Sequence, residues 1–285
     1  MRSGPRWRKR RSGAFPRSSR SPRRRSSRRA TPLPPIARTD LRLNRFLALA
    51  GLGARRKCEG LISEGRIEIN GRPADTPAIQ VDPASDVVRF DGERVRIPRS
   101  FVYLLMNKPS GVVVSASDER GRTTVYDLLP DRYRGKVRAV GRLDRASEGL
   151  LLFTNDGELA HALLHPSRGV ERTYLAWVDP PPRARALRSL EEGISIGRGE
   201  RSGPARVRMV GRRGTTGRVR VVLREGKNRE VRRMFRAVGC RVLALRRVGF
   251  DGLVLQRLSA GTHRRLRQEE IASLRKAAGG IARSG

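Results

Sequence analysis

The chain is poor in cysteine, histidine, lysine and acid. Its 285 residues include two cysteines, three histidines and 27 acids, and six of its 63 basic residues are lysine. Cys58 and Cys240 lie far apart and form no Cys-x-x-Cys pair. With His161, His165 and His263 they offer no four clustered ligands, so no metal site is expected. Both thiols are expected as reduced core residues. No apolar run approaches the roughly 18 residues that a membrane span needs. The shortage of acid carries the most information, because it leaves a formal net charge of +36 at pH 7. An enzyme of small metabolites has no use for such a charge. It points to a polyanionic partner, since each Lys or Arg that meets a phosphate releases counterions. The arginine bias suits that partner, because a guanidinium fork matches phosphate and base edges better than an ammonium does.

Along the chain, composition changes sharply near residue 40. Residues 1–40 hold 14 Arg or Lys against one acid, Asp40, with Ser and Pro between. Such a segment cannot bury a core, and the expectation is a disordered cationic tail. An organelle transit peptide is the alternative reading of the same composition. Residues 41–98 read as a small unit. Leu43, Phe46, Leu47 and Ala50 fall on one helical face, as do Cys58, Leu61 and Ile62. Arg66 to Ile69 then alternates, Asn70-Gly71 signals a hairpin, and a second hairpin is expected around Asp91-Gly92. Arg45, Arg55, Arg56, Lys57, Arg66 and Arg72 gather around the helix pair and first turn.

The remainder alternates strands and helices. Residues 101–115 suggest strand, turn, strand, and residues 122–129 a short capped helix that Pro130 ends. Val140-Gly141-Arg142-Leu143-Asp144-Arg145-Ala146-Ser147-Glu148-Gly149 is a polar, glycine-bounded loop between apolar runs. Such a loop can hold one side chain, Asp144, at a fixed point of a cleft. Taken alone, Asp144 could equally tighten a turn. Further strands are expected at 172–178, 205–209, 219–223 and 242–248, with helices after Gly157, within 180–190 and from Glu269 to Ala277. In Glu225-Gly226-Lys227-Asn228-Arg229-Glu230-Val231-Arg232-Arg233-Met234-Phe235, one helical stripe is apolar and another is arginine. Like charges at i,i+4 cost helix stability, so this stripe is expected to face an anion.

Two sets of motifs then resemble known families. Arg42-Leu43-Asn44-Arg45-Phe46-Leu47, Gly53-Ala54-Arg55-Arg56-Lys57-Cys58-Glu59 and Glu64-Gly65-Arg66-Ile67-Glu68-Ile69-Asn70-Gly71 resemble an S4 RNA-binding domain. Asn107-Lys108-Pro109-Ser110-Gly111-Val112, Gly141-Arg142-Leu143-Asp144 with Gly149-Leu150-Leu151-Leu152, and Glu225 to Met234 resemble, in order, the pseudouridine synthases of the ribosomal small-subunit type, which carry an S4 domain in front. The resemblance implies an α+β chain. It would have a disordered basic tail (1–40), an S4 domain (41–98), a catalytic domain with a mixed, mainly antiparallel sheet (101–278), and a short C-terminal tail (279–285). It implies Asp144 as the catalytic aspartate, Tyr174 as the residue stacking on the target uracil, and Arg232 as the partner of Asp144. Arg142 would occupy the space left by the flipped nucleotide or hold its backbone, and Arg45, Arg55, Arg56, Lys57, Arg66, Lys108, Lys227, Arg229 and Arg233 would contact RNA. Ser147 stands where the family commonly has threonine.

The reaction is an isomerisation, so neither metal nor cofactor is required. The expected substrate is ribosomal RNA, free or in a pre-ribosomal particle, acted on by a cytoplasmic monomer. Asp156 to Ala160, His165 to Arg168 and Glu171 to Tyr174 look closer to the members acting on 23S rRNA than to those acting on 16S rRNA. A non-catalytic RNA-binding assembly factor is the competing reading.

Overall fold

The computed structural model describes residues 41–98 and 100–279. The expected tail at 1–40 lies outside them, as does all but the first residue of the expected C-terminal tail.

Residues 41–98 build a small α+β unit. Strand β1 (Leu41–Arg42) runs into helix α1 (Leu43–Leu49), followed by α2 (Arg55–Ser63). Five short strands follow: β2 (Ile67–Ile69), β3 (Arg72–Pro73), β4 (Gln80–Val81), β5 (Val88–Phe90) and β6 (Glu93–Val95). β1 pairs with β4, and the rest form a sheet in the order β3-β2-β5-β6. The predicted apolar stripes meet as expected, with Leu43, Phe46, Leu47, Cys58, Leu61 and Ile62 packed together with Ile67, Val81 and Val88. Asn70, at φ +51, and Gly71, at φ +79, make the expected turn. The exposed Arg66 joins this turn region to the second hairpin by bonding both carboxylate oxygens of Asp91.

The second region is organised by one nine-stranded sheet. Its elements are β7 (Tyr103–Lys108), β8 (Arg138–Ala139), β9 (Ser147–Thr154), α3 (Gly157–Leu164), β10 (Arg172–Asp179) and α4 (Ala184–Glu192). Then come β11 (Ser195–Gly197), β12 (Glu200–Arg201), β13 (Arg206–Arg213), β14 (Thr216–Leu223), α5 (Glu230–Ala237), β15 (Arg241–Phe250), β16 (Leu253–Val254), β17 (His263–Arg265) and α6 (Gln268–Ala277). The sheet runs β13-β14-β10-β15-β9-β7-β17, with β16 on β15 and β8 on β9; β11 and β12 pair separately. The pair β9–β15 is parallel and forms the seam between two antiparallel halves.

The half around β7 and β9 is covered on both faces. Leu105, Leu150 and Leu152 pack against α3 and α6, while Leu104, Met106, Leu151 and Phe153 pack against residues from 112–137. Their continuous apolar runs are what two-sided burial requires. In the other half, α4 and α5 cover one face, and Ala176, Val178, Val219 and Val221 lie beneath them with Val231, Met234 and Phe235.

Two local expectations fail. Residues 112–114 form no strand beyond a single bridge from Val113 to Thr124. Residues 122–129 form no α-helix, because the Asp127 carboxylate accepts from both the backbone N–H and the hydroxyl of Thr124, at 2.7 and 2.9 Å. Such side-chain bonds offer the backbone an alternative to a helix.

Candidate active site

The loop carrying Asp144 enters the seam at the start of β9. Its backbone is held from below by Lys108, a fully buried lysine. Lys108 Nζ donates to the carbonyls of Pro109, Arg145 and Ser147 at 2.9, 3.2 and 2.8 Å. Three acceptors match the three hydrogens of an ammonium. Burial pushes the pKa of Lys108 down to about 8, against the upward pull of Glu148 and Asp144. Gly111 N–H donates to Arg145 O at 2.8 Å, and Ser147 N–H donates to Asp144 O at 3.0 Å. Gly149, at φ +105, is needed for a close approach. A Cβ there would lie 2.1 Å from the carbonyl oxygen of Arg247 across the seam. Arg247 is itself buried, and its Nε donates to Leu150 O at 2.7 Å.

The opposite wall comes from α5 and the turn before it. Arg229 Nη1 lies 3.5 Å from Asp144 Oδ2. Arg232, expected to pair with Asp144, instead donates to Ala146 O and Val242 O, each at 3.1 Å. It therefore ties the Asp144 loop to β15 through main chain. The exchange has a backbone cause. Arg229 is left-handed, at φ +51 and ψ +32, so its side chain leaves the helical stripe to which the sequence pattern assigned it. Arg232 is still close enough for the carboxylate to matter. Burial and Arg229 lower its pKa, while Asp144 raises it.

Tyr174 is half-buried at the edge of the α4–α5 core. It stands opposite Arg247, which stands opposite Gly149. Tyr174 is thus two strand positions from Gly149, about 10 Å at the usual strand spacing, on the strand into which the Asp144 loop leads. An aromatic face, a half-buried carboxylate and two guanidinium groups converge on this stretch of the seam. The arrangement can bind an anionic strand, stack an extruded base, and present a carboxylate to the attached sugar.

The expected RNA contacts divide. Arg55, Arg56, Lys57, Arg142 and Arg229 are exposed. Arg45 pairs with Glu158, linking the first region to α3. A cavity of about 1870 Å³ runs between these parts, lined by Arg45, Arg55, Arg132, Arg138, Arg168 and Arg265, and it does not reach Asp144. Three expected contacts are structural instead. Lys108 is sealed in the core. Lys227 Nζ is held by Arg201 O at 2.7 Å and the Glu225 carboxylate at 2.5 Å. Arg233 bonds Ile196 O, Gly197 O and Glu200, at 2.9, 2.6 and 2.5 Å, with its side chain only 11% exposed. In each case the donors are spent on protein.

The sequence reading also missed a carboxyl pair. Glu230 is buried, and its pKa is raised by burial and by its bond to Glu225, whose own carboxyl stays low. Glu230 accepts from Lys227 N–H at 3.0 Å and Glu225 from Gly203 N–H at 2.5 Å, so the pair fixes the turn that aims Arg229. Only the spacing of the two acids, on either side of that turn, hinted at it. Cys58 and Cys240 are free and buried, and no group of three or more metal-ligating side chains gathers among the described residues.

Comparison with known proteins adds a family context. Residues 102–237 match the model of the RNA pseudouridylate synthase family, and residues 41–88 match the S4 domain. An uncharacterized RNA pseudouridine synthase of Mycobacterium tuberculosis is 41% identical over 244 residues, covering 84% of this chain and 94% of that protein. The ribosomal large subunit pseudouridine synthase B of Bacillus subtilis is 38% identical over 239 residues, covering 82% and 95%. A crystal structure of a pseudouridylate synthase superposes with a TM-score of 0.61 at 30% identity, covering 82% of this chain and 99% of that one.

Proposed function

Because the chain belongs to the RNA pseudouridylate synthase family, we propose that it converts one uridine of 23S ribosomal RNA to pseudouridine, with Asp144 as the catalytic carboxylate. The observation that carries this reading is the convergence at the seam: the Asp144 carboxylate on an anchored loop, 3.5 Å from Arg229, with Tyr174 two strands away. The large-subunit assignment is supported by the Bacillus subtilis relative, whose name carries it. A cytoplasmic site of action is the reading that the bacterial relative supports. Among the described residues, no helix is long and apolar enough to cross a membrane.

The reaction breaks the N1–C1′ bond of uridine and forms a C5–C1′ bond. The C5 proton is lost and N1 is protonated, so no atom is gained or lost overall. Asp144 acts at the ribose, either as a nucleophile at C1′ or as a base that removes the 2′ proton to give a glycal. Both routes need the nucleotide out of its stack, and Tyr174 offers its ring to the freed uracil. Arg229 and Arg142 neutralise the neighbouring phosphates, and Arg232 positions the loop through Ala146.

The test is product formation on ribosomal RNA, mapped as carbodiimide-resistant adducts. Asp144→Ala and Asp144→Asn are expected to abolish pseudouridine while leaving RNA affinity within about threefold. Ordinary turnover by Asp144→Ala would refute the assignment. Tyr174→Phe keeps the ring and should form product, whereas Tyr174→Leu should fail. Sequencing ribosomal RNA from a deletion strain identifies the target. A pseudouridine missing from 16S rather than 23S rRNA would replace the large-subunit assignment.

A further inference from the structure

One face of the second half-sheet is uncovered. Along β10, Tyr174, Ala176 and Val178 turn toward α4 and α5. Leu175 and Trp177 therefore point the other way, and neither belongs to any of the four apolar cores. Their cross-strand partners share that face. Arg220 stands opposite Leu175 and Arg218 opposite Trp177. Arg208 stands opposite Arg220 on the edge strand, and Arg246 flanks Leu175 on β15. Arg208, Arg218 and Arg220 are exposed, and Leu175, Trp177 and Arg246 are half-buried.

Like charges directly opposite one another weaken an antiparallel pair, yet Arg208 faces Arg220. None of the exposed three has an ion-pair partner among the described residues. The acids of this face sit at its margins, with Asp179 at the end of β10 opposite Arg241. Glu148 lies opposite Arg246 at the seam, and Glu171 is already bound to Arg206 and Arg224. The Nε of Arg246 is buried without a hydrogen-bond acceptor. The patch is therefore a set of guanidinium groups interleaved with an indole and a leucine, with acids at its margins and none opposite Arg208, Arg218 or Arg220.

The charge selects the occupant. Residues 1–40, with 14 basic residues and one acid, would be repelled. A second copy would set arginine on arginine, and an apolar strap would bury the guanidinium groups unpaired. Single-stranded RNA supplies both needs, phosphates for the guanidinium forks and a base face for the indole. We propose that this open sheet face is a second RNA-contact surface, on the opposite side of the sheet from the Asp144 seam, that takes a single-stranded flank of the substrate. It rests on the reading of the chain as an RNA-modifying enzyme but not on which residue is catalytic.

Trp177 supplies a local probe, because Trp7 is the only other tryptophan. In the full chain carrying Trp7→Phe, titration with a 12-nucleotide oligouridylate should quench Trp177 emission, with an affinity that falls as salt rises. Adding Arg208→Gln and Arg220→Gln should flatten the plot of log affinity against log salt by about 1.4, at roughly 0.7 per single-strand phosphate released. Trp177→Ala should weaken oligouridylate binding about 5- to 150-fold, as loss of one stacked base does. Unchanged Trp177 emission at saturating oligouridylate overturns the proposal, and so does an unchanged salt slope in a folded double variant. Quenching by a blunt RNA duplex but not by oligouridylate also overturns it. If the double variant does not fold, emission from the single-tryptophan chain decides alone. Repeating the titration with Asp144→Asn separates this surface from the catalytic reading, since the quench is expected to persist whether or not that variant turns over.

Discussion

The two halves of the central sheet are built on different principles. Around β7 and β9 the strands read as unbroken apolar runs, and Leu104 to Met106 and Leu150 to Phe153 are all at 0% exposure. Around β10 and β14 the sequence alternates, with Val219 and Val221 at 0% and Arg220 between them exposed. The first half is closed on both faces and the second on one. The groups proposed to act in catalysis lie where the two meet. The closed half fixes Asp144 through a buried lysine and a glycine. The open half brings Tyr174, Arg229 and Arg232 from one face and leaves its other face in solvent. Rigidity is concentrated on the side that holds the proposed catalytic carboxylate, where a small displacement would be most costly to catalysis. Exposed arginine is concentrated on the other.

The seam itself should give the largest effect. Gly149→Ala would place a methyl 2.1 Å from Arg247 O and 2.9 Å from Arg247 N and C, on a backbone at φ +105. Neither strand can yield without breaking the parallel pair. The loss should exceed about 4 kcal/mol, seen as failure to fold or as early urea unfolding with no pseudouridine formed. A stable, active Gly149→Ala would show that the halves are not locked together here.

Lys108 should sharpen the comparison through pH. Its pKa in the folded chain is lowered, from 10.5 to about 8. Between these values the unfolded chain binds the proton and the folded chain does not, so stability rises with pH across that window. Below about pH 8 the lysine is charged in both states and its burial cost is borne in full. Relative to Lys108→Met, the wild type should gain roughly 3 kcal/mol between pH 7 and pH 10.5. Urea unfolding of both proteins at several pH values measures this, and parallel pH curves would refute it. Groups common to both chains, Tyr103 among them, cancel in the difference.

Sequence pattern exposed what is local and missed what is brought from afar. The helix pair of the first region, its Asn70-Gly71 turn and the amphipathic α5 all follow from spacing. The Asp144 loop was legible because two glycines and apolar runs bound it. The burial of Lys108 was not, because two of its three acceptors, Arg145 O and Ser147 O, lie 37 and 39 residues along the chain. The change of partner between Arg229 and Arg232 was also hidden. Helical spacing assumes a right-handed residue, and Arg229 is not one. The Arg233 cage was invisible for a third reason: these acceptors sit on β11 and β12, short strands that no run of β-forming residues announces.

The smallest effect is expected on the open face, and it isolates the comparison because the side chain is the same in both halves. Leu151 and Leu175 both lie on interior strands of one sheet. Leu151 is at 0% exposure between β7 and β15, packed beneath residues 112–137. Truncating it to alanine should cost about 2–5 kcal/mol, as a buried cavity does. Leu175 has arginines on either side and no core above it. Its truncation removes contacts with guanidinium stems alone and should cost less than about 1 kcal/mol. If urea unfolding gave Leu175→Ala the same penalty as Leu151→Ala, that face would be covered in solution, and RNA could not be its occupant.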